Sequence, residues 1–260
     1  MEPAPNLFNI GVITMKPQKH IFPLLMLGLL SAPVFAGPAD YVYTPTVEYG
    51  EKEIDFKFGT EKMANGDRAQ VASLGFGYGV TEYWFTEVYV KREREGSEKV
   101  SIAEWENKFQ LTETGKYPVD LGLVVEIEAP LNKNEAYELK LAPLLQTEFN
   151  KLQLNGNLTF ERKFGPKDAD DQHVTEMGYQ WQVKYRWQPK FEFGLQGFGD
   201  LGEWDHWSNS SNQNHRMGPA VFGKLDTAPH QAIKYNAALL FGTSEAAANH
   251  TFRMQVEYEF

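Results

Sequence analysis

The sequence predicts an all-β protein: an antiparallel, up-and-down transmembrane β-barrel of about twelve strands, with short periplasmic turns and longer outer loops. Three observations predict it. Apolar and polar residues alternate through one segment after another, which is the period of a strand with two unlike faces. The segments approach the ~9–11 residues that a tilted strand needs to cross a bilayer. The links between them alternate between short and long.

Composition narrows the field before any element is placed. Of 260 residues, 35 are acidic and 25 basic, for a formal net charge of −10. A nucleic-acid surface would need a basic footprint instead. There is no cysteine, which excludes disulfides, thiol catalysis, thiolate metal sites and a cysteine-anchored lipoprotein. After residue 36 no apolar run approaches the ~18 residues of a membrane helix.

The front end has the form of an export signal. Residues 15–20 (MKPQKH) make a short basic stretch, residues 21–30 (IFPLLMLGLL) an apolar one, and Val34 and Ala36 occupy the small positions of a cleavage site. Cleavage is expected after Ala36. Residues 1–14 carry an acid and no base, so the true start is expected at Met15. Domain organisation is therefore an extension and cleaved signal at 1–36, a segment at 37–50, and a barrel at 51–260. The destination is the bacterial outer membrane. In residues 37–50 (GPADYVYTPTVEYG), Val47 and Tyr49 are out of phase with Ile54 and Phe56. Two readings follow: a periplasmic tail, or a partial plug in the barrel mouth, which would argue against an open pore.

The strands follow in order, with expected centres at Phe56, Gly75, Tyr89, Trp105, Leu123, Leu141, Gly156, Trp181, Leu195, Val221, Ala237 and Val256. The eighth is among the clearest: Met177, Tyr179, Trp181, Val183, Tyr185 and Trp187 share one face, and Glu176, Gln180, Gln182, Lys184 and Arg186 the other. The last alternates to the final residue, with Phe252, Met254, Val256, Tyr258 and Phe260 opposing Arg253, Gln255, Glu257 and Glu259. Short turns are expected near Thr81, Thr114-Gly115, Asn150, Pro189 and Pro229. Longer links are expected near Asn65, Gly96, Asn132, and residues 165–173, 203–214 and 244–249.

A soluble sandwich shows the same alternation with its polar face in water. The aromatics weigh against it. Tyr83-Trp84-Phe85, Tyr117, Phe149, Tyr185, Trp187, Phe191, Phe193, Tyr258 and Phe260 band where strands meet the short turns, as rings do at a headgroup level. The apolar face is therefore expected to meet lipid and the polar face to line a lumen. Gly75-Phe76-Gly77-Tyr78-Gly79 and Gly194 to Gly199 lack the setting of a phosphate loop and are assigned to barrel curvature.

At this point the chain resembles bacterial outer-membrane β-barrel proteins, on the signal, the alternation and the ending VEYEF. In that family a terminal Phe closing an alternating strand is the signal for the barrel assembly machinery, which would make Tyr258 and Phe260 the recognised residues. Stretches such as LGFGYGVTEYWFTE, GYQWQVKYRW and AIKYNAALLFG are more narrowly similar to a group of proteobacterial outer-membrane proteins of unassigned function. The resemblance covers nearly all the mature chain and implies a fold and a compartment, but no site.

The expected lumen is mixed in sign. Glu53, Asp55 and Lys57 lie on the first strand. Glu104, Glu106 and Lys108 lie on the fourth, Glu126 and Glu128 on the fifth. Lys140, Glu161, Lys184, Arg186, Lys234 and Arg253 complete the set. Most should pair across strands. A barrel wider than the ~8-strand type that side chains fill leaves a narrow path for small polar solutes, with the acid excess favouring cations. The runner-up is a non-conducting structural or surface-binding barrel. It would use metal at outer histidines (His173, His206, His215, His250) or lipopolysaccharide at Trp204 and Trp207. A lipid hydrolase built on His206 or His215 with Ser208, Ser210 or Ser211 is a further alternative, but no nucleophile motif supports it. No catalytic residue and no cofactor is expected. Partners would be outer-membrane lipid and lipopolysaccharide, the assembly machinery and an unidentified small solute, with no nucleic acid.

Overall fold

The computed structural model describes residues 37–63, 66–131, 136–165 and 174–260, together with Met1. The leader, the start at Met15, His173 and the links at Asn65 and Asn132 lie outside the described residues.

Twelve long strands form one closed antiparallel barrel, and a short strand extends one hairpin beyond it. In order they are β1 (Lys52–Lys62), β2 (Arg68–Thr81), β3 (Trp84–Glu95), β4 (Glu98–Gln110), β5 (Asp120–Pro130), β6 (Tyr137–Phe149), β7 (Leu152–Phe164), β8 (Thr175–Gln188) and β9 (Phe191–Glu203). The two-residue β10 (His206–Trp207) follows, then β11 (Asn214–Ala228), β12 (Gln231–Gly242) and β13 (His250–Glu259). Each strand pairs with its sequence neighbour, except that β9 passes to β11 while β10 folds back on β9. The ring closes where β1 meets β13, from Glu53 opposite Glu259 to Lys62 opposite His250. All twelve expected centres fall on the twelve long strands.

Burial runs opposite to that of a water-soluble core. Phe76, Val90, Trp105, Leu145, Phe193 and Phe241 are exposed on the outside, while Asp55, Glu106, Glu126 and Arg253 are buried within. Unsolvated charges are costly unless paired, so a water-facing outer surface of this kind would be the wrong way round. Lipid outside and polar groups inside resolve it. Phe85 departs from the expected aromatic band: it is 2% exposed and points inward, in phase with Glu87 and Tyr89 on β3.

The ends of the barrel differ, with two exceptions to the expected pattern. One end, the turn end, carries the chain start of β1 and the end of β13. It has tight turns after β2, β6, β8 and β11, with Asn150 and His230 at positive φ. The turn between β4 and β5 is longer than expected, at residues 111–119. It is held by Gly115 N and Leu121 N donating to Asp120 and Thr112. At the opposite, loop end, only Gly96 and Ser97 separate β3 from β4. A long link was expected there. Instead the strands continue almost to Gly96, whose positive φ permits the tight reversal.

Candidate functional site in the barrel interior

The central feature of the interior is residues 37–49, which pair with no strand and run through the lumen. At the loop end, Arg216 Nη2 donates to the Gly37 carbonyl at 3.1 Å. Any side chain on Gly59 would collide with the Pro38 backbone. At the turn end, Val47 N donates to Gln110 Oε1 at 2.9 Å, and the Glu48 carbonyl occupies the space above Gly79. The chain then reverses at Gly50, which has φ 79° and donates to the Gly79 carbonyl at 2.8 Å, and enters β1. Of the two sequence readings of this segment, a periplasmic tail does not describe these contacts. The out-of-phase Val47 and Tyr49 were the signal that it joins no ladder.

The side chains of the segment alternate between walls. Tyr41 donates to Glu106 at 2.9 and 3.1 Å, and Tyr43 donates to Glu126 at 2.9 Å. Tyr43 also packs on Val124, Ala142 and Leu144. Val42 points the other way, into Phe198, Ala220, Phe222, Ala238 and Leu240. The Tyr43 backbone is held from the side as well. Its carbonyl accepts from Asn157 at 3.0 Å, and its N–H donates to Gln180 at 3.5 Å. These apolar inner residues are the ones the segment packs against.

The predicted lumen residues all lie on inward-facing positions and form local networks. Lys57 is 3.5 Å from Asp55 and lies between the Tyr41 and Tyr89 rings, 3.9 and 3.8 Å from their centres. Tyr89 in turn donates to Asp55 and Glu87. Lys91 bridges Glu104 and Glu128. Lys140 bridges Glu126 and Glu161 at 3.3 and 3.4 Å. Lys184 meets Glu192, Arg186 is bidentate with Glu148, and Lys234 joins Glu51 and Glu259. Glu53 is buried near the turn end, and Lys108 sits 4.9 Å from the Phe85 ring centre. Arg253 donates to Gln196 at 2.6 Å.

Sequence reasoning missed a band of amides. Gln146, Gln153, Asn155, Gln182 and Gln196 are buried and hydrogen-bonded to one another across β6 to β9. Their signal was the alternating Gln and Asn of β7 and β8, passed over because amides carry no charge. The inward glycines Gly75 and Gly77 were assigned to curvature. They instead leave room for the Tyr89 and Phe85 rings, while outward Gly197 lies under Trp181.

Among the described residues, the rim histidines form no joint ligand group. His215 uses both ring nitrogens, Nδ1 with the Tyr179 hydroxyl and Nε2 with Gln213, each at 2.9 Å. Ser244 receives a hydrogen bond from the His215 backbone, not its ring. Among the described residues, the groups of three or more side chains that could hold a metal are carboxylates inside the barrel: Glu104, Glu106 and Glu126, and Glu51, Glu53 and Glu259. His206, His215 and His250 belong to neither. Both groups are already braced by lysines.

No protein-family model matches the chain, and no curated protein matches it. Solved structures do. The COG4313 outer membrane channel from Pseudomonas putida F1 superposes with a TM-score of 0.54 at 14% identity, covering 85% of this chain and 98% of that one. KdgM porin gives 0.53 at 10% identity, with 80% and 99% covered. NanC porin gives 0.53 at 10%, with 80% and 100% covered. At these identities the likeness is one of fold: this chain has the fold of outer-membrane β-barrels.

Proposed function

We propose that this chain is an outer-membrane channel for small polar solutes, closed in the present conformation by its own residues 37–49. The proteins that share its fold are described as porins and an outer membrane channel, and its apolar exterior suits lipid. The observation that carries the closed state is that adjacent residues Val42 and Tyr43 pack on different walls. A further solute path at that level requires the segment to move. Tyr258 and Phe260, stacked 5.6 Å apart at the chain end, are the residues proposed for recognition by the assembly machinery. The acid-rich networks favour cations over anions in the bulk of the lumen.

A non-conducting barrel is the second reading, favoured by the same segment if it never leaves. Single-channel recording of the refolded chain in planar bilayers, across several salts and voltages, separates the two. Discrete openings with cation preference support the channel. A correctly folded, heat-modifiable barrel that stays silent, even when Tyr41 and Tyr43 are both replaced by Phe, sinks it.

A further inference from the structure

Arg253 is 1% exposed and faces the lumen from β13. One amino group donates to Gln196. Its Nε and Nη2, the opposite edge of the guanidinium, have no hydrogen-bond partner among the described residues. That edge presents two parallel N–H groups, the spacing that receives both oxygens of a carboxylate. Beside it is an apolar wall. The Phe198 ring centre is 6.0 Å from the guanidinium carbon, Ala238 is the register partner of Arg253 on β12, and both belong to the cluster that Val42 completes. The inner segment covers this wall with Val42.

We propose that Arg253, Gln196 and the Phe198 wall form a binding site for a small organic carboxylate with an apolar body, and that Val42 covers the wall while the segment is seated. The inference rests on the reading of the barrel as a channel closed by that segment. An inorganic anion would use the guanidinium edge but not the wall. A neutral apolar solute would use the wall and leave the edge unpaired. A polyhydroxylated acid would set hydroxyls against the apolar side chains of Phe198 and Leu240.

The test is calorimetric titration of the refolded full chain in detergent micelles with benzoate, using benzyl alcohol and inorganic phosphate as comparisons. Saturable benzoate binding is expected. It should weaken about tenfold or more in Arg253→Lys, which keeps the charge and loses the planar fork. Arg253→Gln, checked for heat-modifiable folding, should lose it as well. Equal benzoate affinity in the parent and both arginine variants overturns the site, and so does phosphate binding as tightly as benzoate. Conductance read on the same samples separates this from the reading beneath it. A barrel that never conducts but binds benzoate through Arg253 keeps the site and loses the channel. A conducting barrel without arginine-dependent binding does the reverse.

Discussion

Val42 and Tyr43 are consecutive in the chain and pack on different walls of the barrel, Val42 on the β9–β11–β12 side and Tyr43 on the β5–β6 side. The interior at that depth is therefore one extended chain wide. What holds the segment can be tested contact by contact.

Tyr43→Phe removes the hydroxyl that donates to Glu126 and keeps the ring on Leu144. A hydrogen bond to a charged group contributes about 1.5–3 kcal/mol, so the seated state should lose roughly tenfold or more in population. Single-channel recordings should show longer or more frequent openings. An open probability equal to that of the parent would show that the phenol does not hold the segment.

Two glycines should unseat the segment from its ends. Gly59→Ala drives a methyl into the Pro38 backbone, and Gly79→Ala drives one into the Glu48 carbonyl. Both glycines lie in extended strands, so the barrel itself should assemble. Limited proteolysis within residues 37–49 should accelerate in each. Gly156→Ala, where a Cβ meets nothing within 4 Å, should leave cleavage unchanged.

Trp181→Arg places a charge on the lipid side of β8. Such a change costs roughly 2–4 kcal/mol at mid-bilayer depth, and the yield of heat-modifiable barrel in membranes should fall. The sequence led us to expect Gln180→Arg to be tolerated as its inward counterpart. The structure changes that expectation: Gln180 is buried and accepts from Asn157 at 3.2 Å as well as from Tyr43. Gln180→Arg should assemble but displace the segment, seen as faster proteolysis in residues 37–49.

Two ion pairs should differ in worth. Arg216 and Glu61 are buried at 2.6 Å, and Glu61→Ala removes the carboxylate of a buried ion pair, at a cost of about 3–5 kcal/mol. Arg186 and Glu148 are more than a third exposed, and Glu148→Ala should cost no more than about 1 kcal/mol. Urea unfolding midpoints of the refolded barrel in micelles would order the two; a larger shift for Glu148→Ala would contradict the burial argument.

The barrel was legible because period-two alternation fixes which side chains share a face, whatever the partner strand. That logic placed Trp181 outside and Arg253 inside without any tertiary knowledge. It could not say what fills the inside. Val124, Ala142 and Leu144 lie at inward positions, yet local sequence offers no reason for apolar residues there until Tyr43 is set against them. Phe85 was misplaced for another reason: it was grouped with its aromatic neighbours at the turn, although alternation with Glu87 and Tyr89 turns it inward. His215 drew attention as a metal ligand because residue type was all that sequence supplied. Of its ring partners, Gln213 is two residues away in the chain, and Tyr179 becomes a neighbour only through pairing of β9 with β8 and β11.

The attachment of the segment has a directional consequence. It reaches Gly37 at the loop end and joins the barrel through Gly50 at the turn end; with cleavage after Ala36, as expected from the sequence, Gly50 is its covalent tie. Force applied from the loop end pushes it out along its tether, and force from the turn end presses it back onto Glu106 and Glu126. A tube with a stopper hinged at one mouth is a check valve. Its leakage is expected to depend on the sign of the driving force, so reversing the applied voltage should give unequal currents from the same molecule.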